Sequence, residues 1–434
     1  MSTIYKLLLK QHIGRASVPI VHEGDCVTCG ERIATAQGVG ADLHASVSGT
    51  ILRVDAQAIT IRQTASSQAV QPIPSGSIQE MVRAAGLVGM GGAGYPTALK
   101  LSQSIAGGVL IANGAECEPI LAHNIVQIEE TPAIIYRGLL YAMQAVGAAR
   151  GIVAIKAKHV HAITSMRHVI SDPRITVFPV QDIYPAGEER ALIRDCLGIQ
   201  VAAEKRAITA NTIVLNTETL ACITEAIEQR RPVVSKNLTI AGRLGGQPIV
   251  KTLFNVPIGT RIGELLDEAG GLPEDYGEII MDGPFMGHRV SVDDVVTKTT
   301  GGIIVTMPFL RQTSPIGLLV CACSASESRM RELAASMGAP VAAVACCKHA
   351  VVARGGLKCR NPGICPGQAE RVLALRAAGA KALLIGNCTD CSNTVMSLAP
   401  RLKLPVYHIT DGAMRALNLP LIRRLKRNTT ALTD

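Results

Sequence analysis

Three short apolar runs constrain this fold more than any other feature of the chain: GVLIANGA (108–115), GIVAIKA (151–157) and TIVLNT (212–217). Each has strand length and is apolar on successive residues, the pattern of a strand buried on both faces. Helix-like stretches surround them at 78–85, 129–146, 159–170, 188–197 and 218–229. A strand covered on both faces needs a helical layer on each side, so residues 78–232 are predicted to form a parallel α/β layer domain. The same alternation returns at 316–434, where GLLVCACS, VAAVACC, ALLIGNC and PVYHIT are separated by helical stretches at 326–337, 367–378, 391–398 and 411–418. That predicts a second, smaller parallel α/β domain. Residues 233–310 are strand-rich with one helix at 260–269, a mixed α+β module. Residues 1–62 read as short strands with regular turn signals, and QTASSQAVQPIPSGS (63–77) has the composition of a linker. The predicted class is therefore a multidomain α/β chain.

Hydrophobic residues make up 48% of the chain and charged residues 18%, so it can bury large cores and is not disordered. No apolar run approaches the roughly 20 residues of a membrane span. The start, MSTIYKLLLKQH, shows no signal-peptide core, and a cytoplasmic protein is expected. The net charge of +9 is uneven: from 315 onward, 16 Lys/Arg stand against 6 Asp/Glu, or +10, leaving −1 for the rest. That imbalance suggests an acidic partner, although a solvated basic surface explains it equally. Nucleic acid is not expected, because there is no tryptophan and few aromatics to stack on bases.

The stretch GLVGMGGAGYPTALKL (86–101) places Gly89, Gly91, Gly92 and Gly94 ahead of Lys100. Bare backbone before a helix can form an anion-binding nest. The spacing is neither a P-loop, which needs GK[ST], nor a dinucleotide GxGxxG at a strand end, and a packing turn is the alternative. NGAECEP (113–119) puts Asn113, Glu116 and Glu118 after a predicted strand, where ligands bind in open α/β sheets. YPAGEERALI (184–193) sets Glu188 and Glu189 at a helix start, and NTETL (216–220) sets Asn216 and Thr219 after another strand. For each carboxylate, a helix cap or surface ion pair is the plainer role.

These motifs, in this order, resemble the flavin- and NADH-binding subunit of respiratory complex I, and more closely the C subunit of the Rnf electron-transport complex. With GPFMG (283–287), the resemblance covers roughly residues 1–310. It implies a biotinyl/lipoyl-like sandwich at 1–62 (without a carrier lysine), an FMN- and NADH-binding domain at 78–232, and a soluble-ligand-binding β-grasp (SLBB-like) module at 233–310. It further implies that Gly89, Gly91, Gly92, Gly94 and Lys100 cradle FMN, and that Asn113, Glu116 and Glu118 contact the flavin or its ribityl chain. Gly187, Glu188 and Glu189 would line the nicotinamide face, and Asn216 and Thr219 the phosphate side. The Rnf subunit's CxxCxxCxxxCP cluster motifs do not occur here. Cobalamin reductases share the N-terminal region. The tail segments LVCACS, LKCRNPGICPGQAE and GNCTDCSNTVM resemble the proline reductase-associated electron-transfer protein, which implies D-proline reductase as the partner.

Eight of the thirteen cysteines lie between 321 and 391. In an intracellular chain, that density points to metal, cluster or redox work. Cys321, Cys323, Cys346, Cys347, Cys388 and Cys391 fall at three strand ends that would share one sheet edge, with Cys359 and Cys365 in a loop. Singly, Cys321, Cys346 and Cys347 could be small buried hydrophobes. Cys388 and Cys391 form a CxxC with its second half at a helix start, where a thiol pKa falls. They are expected to be an exit relay, as a dithiol or as iron–sulfur ligands, with zinc third. Cys26 and Cys29 could pair or be incidental, Cys117 follows the family motif, and Cys196 and Cys222 read as core. The reading is an electron-transfer flavoprotein running from NADH through FMN to a partner reductase. The alternatives are an iron–sulfur subunit of the Rnf or cobalamin-reductase type and a scaffold without cofactor.

Overall fold

A computed structural model describes residues 3–64, 69–353 and 356–423. Positions 65–68 of the expected linker, and 424–434 of the basic tail, lie outside the described residues. The first residues form a β module in which a four-stranded sheet, ordered Ile4–Leu8, Ala58–Gln63, Gly49–Val54 and Cys26–Val27, accompanies a three-stranded one. Its core is apolar, with Leu7, Ile33, Val47, Ile59 and Ile61 fully buried.

The next sheet is parallel, in the order Ile175–Val180, Arg150–Lys156, Val109–Gly114, Thr212–Asn216. From the strand Val109–Gly114 the chain steps to one side twice and then returns to the other. The switch point therefore lies between Val109–Gly114 and Thr212–Asn216, and a crevice opens beyond their C-terminal ends. The strand Ile175–Val180 is not among the expected ones. Its sequence, ITVFPV, carries Pro179, which cannot donate to a ladder and is tolerated because the strand is at the sheet edge. The helix expected at 129–146 begins at Pro132 and runs to Val146, and a separate helix, His123–Glu130, precedes it. Pro132 cannot supply the N–H that would continue the first helix, but it is well suited to open the second. The second helix buries Ile135, Leu139, Ala142, Met143 and Val146 as one stripe and ends at Gly147, whose φ is 72°.

A mixed five-stranded sheet follows, ordered Gln247–Pro257, Ser235–Leu244, Gly302–Val305, Ile279–Met281, His288–Val290. Its long hairpin turns on Gly245 and Gly246, both at positive φ, as a two-residue hairpin loop requires. The last sheet is parallel, ordered Val341–Cys346, Ile316–Val320, Ala382–Ile385, Val406–His408. Its switch point falls between Ile316–Val320 and Ala382–Ile385, and the segments holding Cys321, Cys323 and Cys388 leave from those two strands. The hairpin Ala350–Ala353/Gly356–Cys359 has no counterpart among the expected elements. The final CxxC also sits differently from expectation. Its helix is Thr389–Leu398, so Cys388 occupies the cap position and Cys391 lies within the first turn.

Candidate functional site

At the first switch point the glycine stretch folds into a closed loop. Gly89 donates to Tyr95 O at 2.9 Å, Gly94 to Gly89 O at 3.1 Å and Thr97 to Leu87 O at 3.0 Å. Gly92, at its exposed tip, has φ 87°, and a Cβ there would meet nothing within 4 Å, so the tip presents open backbone. Gly91 is glycine for another reason: a Cβ would stand 2.9 Å from Asn216 Nδ2. Asn216 caps the helix Thr217–Glu228, accepting from Glu218 N at 2.9 Å and Thr219 N at 3.3 Å. Thr219 Oγ1 accepts from Met90 N at 3.0 Å. Asn216 and Thr219 thus clamp the loop to the helix start, and their main polar contacts are internal.

Lys100, on the helix Thr97–Leu101, reaches Val214 O at 2.7 Å and Glu189 Oε1 at 3.2 Å. That pair joins the glycine segment to the YPAGEE segment across the crevice. Glu188, not Glu189, caps the helix Glu189–Leu197, accepting from Arg190 N at 2.7 Å and Ala191 N at 3.0 Å, and it grips the Arg190 guanidinium. Of the two plainer roles, the cap falls to Glu188 and the ion pair with Lys100 to Glu189. Asn113 donates to Gly187 O at 2.9 Å, and a Cβ at Gly187 would stand 3.2 Å from Cys117 Sγ.

Glu116, at φ 32°, accepts from Asn124 Nδ2 at 2.7 Å. Glu118 accepts from Phe285 N at 2.9 Å and Met286 N at 2.8 Å, so its carboxylate holds the GPFMG loop. A Cβ on Gly283 would overlap that carboxylate at 2.2 Å, which explains the glycine. Burial raises the Glu118 pKa to about 8 despite those two N–H groups, and the charges of Glu116 and Asp282 add to the rise. Burial also lifts Cys117 to about 12.

Beside this crevice lies the cysteine-rich edge. Arg190 Nη1 donates to Cys359 O at 2.7 Å, and Arg194 Nη1 to Asn361 Oδ1 at 2.8 Å. Tyr184, stacked on Phe285 with ring centroids 3.7 Å apart, donates its hydroxyl to Cys323 O. Its backbone N–H meets Thr389 Oγ1 at 3.0 Å. The thiols lie next to one another in a chain of neighbours: Cys359 beside Cys323, Cys323 beside Cys321, Cys321 beside Cys347 and Cys388, and Cys391 beside Cys347, Cys365 and Cys388. Cys346, expected at this edge, is exposed and stands outside that chain of contacts. Among the described residues, no group of three or more His, Cys, Asp or Glu side chains is disposed to hold a metal ion.

Sequence reasoning missed Gln368. It is fully buried and donates Nε2 to Cys347 Sγ at 3.1 Å, Cys391 Sγ at 3.4 Å and Cys365 Sγ at 3.8 Å. No local signal marks it, since two of its three partners are brought there by distant elements, Cys347 by the end of a strand and Cys391 by a helix. At the N-terminus, Cys29 is buried and donates to Ser46 O at 3.3 Å, whereas Cys26 is exposed. Cys196 and Cys222 are half-buried against apolar clusters.

Two family models match: the Nuo51 FMN-binding domain over residues 82–225 and the RnfC barrel sandwich hybrid domain over residues 2–72. The cobalamin reductase PduS of Salmonella typhimurium is 38% identical over 56% of this chain and 52% of its own. The chain spans about half the length of that relative. The C subunit of the Na(+)-translocating ferredoxin:NAD(+) oxidoreductase complex of Acetobacterium woodii is 30% identical over 71% of this chain and 75% of its own. The C subunit of the ion-translocating oxidoreductase complex of Rhodobacter capsulatus is 32% identical over 73% and 68%. No helix among the described residues is long and apolar enough to cross a membrane. With its flavin-domain and N-terminal β-module matches and more than two thirds of two C subunits covered, the chain belongs to the RnfC family of electron-transfer flavoproteins.

Proposed function

We propose that the protein passes electrons from NADH, through FMN at the glycine loop, to its cysteine-rich edge and on to a partner reductase, D-proline reductase in the first instance. The observation that carries this reading is the Lys100–Glu189–Arg190–Cys359 connection. Lys100 bonds Glu189, and Arg190, its neighbour in sequence, bonds the backbone carbonyl of Cys359, so the glycine segment, the YPAGEE helix and the backbone of one thiol-bearing segment are linked. The residues present fit FMN. Gly92 offers open backbone at positive φ, Gly91 lets the loop pack closely on Asn216, and Lys100 supplies a half-buried cation. A bound flavin accepts hydride as a pair and releases electrons singly or in pairs.

The chain's own groups do the rest. Gly89, Gly91, Gly92 and Gly94 would admit the phosphate, with Lys100 opposing its charge, while Asn216 and Thr219 keep the loop in shape. Asn113 holds Gly187 and Glu116 holds Asn124 at the strand end, while Glu118 ties the GPFMG loop to the same segment. A cleft of about 570 Å³, lined by Glu188, Glu189, Arg190, Lys205, Arg206 and Lys358 among others, is of a size that suits a dinucleotide. Its cations would meet a diphosphate, and Glu189 and Gly187 would border the nicotinamide. The division into a sandwich at 1–62, a flavin domain at 78–232, an SLBB-like module at 233–310 and a redox domain at 316–434 belongs to this reading, as does a cytoplasmic setting. The tail motifs support a protein of the proline reductase-associated type, and the exposed Lys358 and Arg360 beside Cys359 suit an acidic partner.

Anaerobic stopped-flow reduction by NADH tests the donor. Native protein should bleach its flavin, and the Glu188→Gln/Glu189→Gln double variant should bleach more slowly while keeping its flavin. Unchanged kinetics would return both carboxylates to purely structural roles.

A further inference from the structure

We propose that Cys365 and Cys391, oriented by Gln368, form the outlet dithiol of the cysteine-rich edge and pass an electron pair to a disulfide of the acceptor protein. The source of those electrons rests on the reading above; the identity of the outlet does not.

Accessibility decides between the thiols. Cys388 and Cys391 are 3% and 2% exposed, so the CxxC pair itself cannot be the first contact. Of the seven thiols in mutual contact, Cys365 alone is not buried. Its sulfur hydrogen-bonds Thr394 Oγ1 at 3.1 Å and accepts from Gly367 N at 3.2 Å, while its backbone N–H is pinned to Asp390 Oδ2 at 2.9 Å. Beside it, Cys391 is buried, and the Gln368 amide reaches both sulfurs, at 3.8 Å for Cys365 and 3.4 Å for Cys391.

Gln368 is the independent observation. Its amide is fully buried, its N–H groups face only sulfur, and its Oε1 has no hydrogen-bond partner among the described residues. A core tolerates an unpaired polar atom rarely and at a cost of about 1–3 kcal/mol. An amide spent on three thiols makes sense where one of them is to be an anion. The electrostatics agree: hydrogen bonds from Cys391, Thr394, Gly367 and Gln368 bring Cys365 down to about 6, while Cys391 is pushed up by hydrogen bonds to its neighbouring thiols and by burial. An accessible thiolate over a buried protonated thiol is the arrangement that thiol–disulfide exchange uses.

The exchange balances. The Cys365 thiolate attacks one sulfur of the acceptor disulfide, forming a mixed disulfide and releasing one acceptor thiolate. Cys391, deprotonated, then attacks Cys365 Sγ, breaking the mixed disulfide and releasing the second. Two electrons have moved to the acceptor, together with the one proton that Cys391 gives up, and its second thiolate takes a proton from solvent; a Cys365–Cys391 disulfide remains. Two electrons from the reduced flavin and one proton restore the Cys365 thiolate and the Cys391 thiol, by way of Cys388 and Cys347, which contact Cys391.

The test uses the full chain with the exposed Cys26 and Cys346 replaced by serine, reduced by a phosphine and mixed with 5,5′-dithiobis(2-nitrobenzoate). The fast phase should release about two thionitrobenzoates per chain and leave no adduct. Adding Cys391→Ser, or Cys391→Ala should the serine misfold, should release about one and leave a stable adduct that maps to Cys365. Gln368→Leu, with its fold checked by circular dichroism, should keep the stoichiometry but slow the phase at least about tenfold. A fast phase that survives Cys365→Ser, an adduct on another cysteine, or cysteines blocked by iron and sulfide in the isolated protein would overturn the assignment. Neither flavin nor NADH enters this assay, so it can fail while flavin bleaching succeeds, and the reverse.

Discussion

Gly92→Val is the perturbation that isolates the glycine loop. Gly92 sits at φ 87° with nothing within 4 Å of where a Cβ would stand, so a side chain there collides with no part of the protein. What it adds is left-handed backbone strain, roughly 1–2 kcal/mol for an L-residue and more for a β-branched one, together with bulk on the face that would admit the phosphate. Gly107 provides a matched control. It too has positive φ, 74°, and open surroundings, but it precedes the strand Val109–Gly114 at the end opposite the crevice. Gly107→Val should therefore cost the same strain and appear only as lowered thermal stability. In Gly92→Val the strain is concentrated in the loop, and about 1.4 kcal/mol lost from binding is a tenfold weaker complex. Flavin titration by fluorescence quenching, followed by gel filtration, reads the difference. Gly92→Val should bind FMN at least about tenfold more weakly, and Gly107→Val within about twofold of native. Stoichiometric flavin on Gly92→Val after gel filtration would refute the loop assignment.

Other expectations follow from the same geometry. Lys236, fully buried, pairs with Glu218, beside a His123 that burial keeps neutral. Lys236→Met strands that carboxylate and should cost about 3–5 kcal/mol in urea unfolding; a loss under about 1 kcal/mol would mean the pair is solvated. Glu188→Gln weakens a charged helix cap and its hold on Arg190, and should lower stability by about 1 kcal/mol; no change in the melting temperature would argue against the cap. Glu118, raised to about 8 in the fold, binds a proton that the unfolded chain has released above the usual carboxylate range. Its contribution to stability is therefore greatest at acid pH and falls as pH rises toward 8. Glu118→Gln should remove that part of the pH dependence, and parallel stability–pH curves for native and variant protein would contradict the shift.

The strands at 109–114, 150–156 and 212–216 announce themselves through continuous apolar runs, as do the two inner strands of the last sheet, because burial on both faces leaves that mark. The edge strand Ile175–Val180 does not, since half its face is wet and Pro179 reads as a breaker. Site motifs are visible for the same local reason: glycines and carboxylates cluster at strand ends. What the motifs cannot show is which atoms those side chains already occupy. Glu188 spends its carboxylate on Arg190 and the helix start, and Glu118 spends its own on a loop 167 residues away. Gln368 is invisible for the same reason, for its nearest sulfurs, those of Cys347 and Cys391, lie 21 and 23 residues away. Nor does the CxxC at 388–391 signal its own burial. A helix start is usually wet, but Tyr184 and Thr389 fasten this one to the flavin-side segment and cover it.

The most direct test of electron entry through a flavin at the glycine loop is the visible spectrum of the purified full chain after saturation with FMN and desalting, followed by anaerobic NADH. Flavin bands at about one FMN per chain, bleaching on NADH addition, are the expected result. A chain that leaves the column without flavin, or one whose bound flavin stays oxidised with excess NADH, would contradict it.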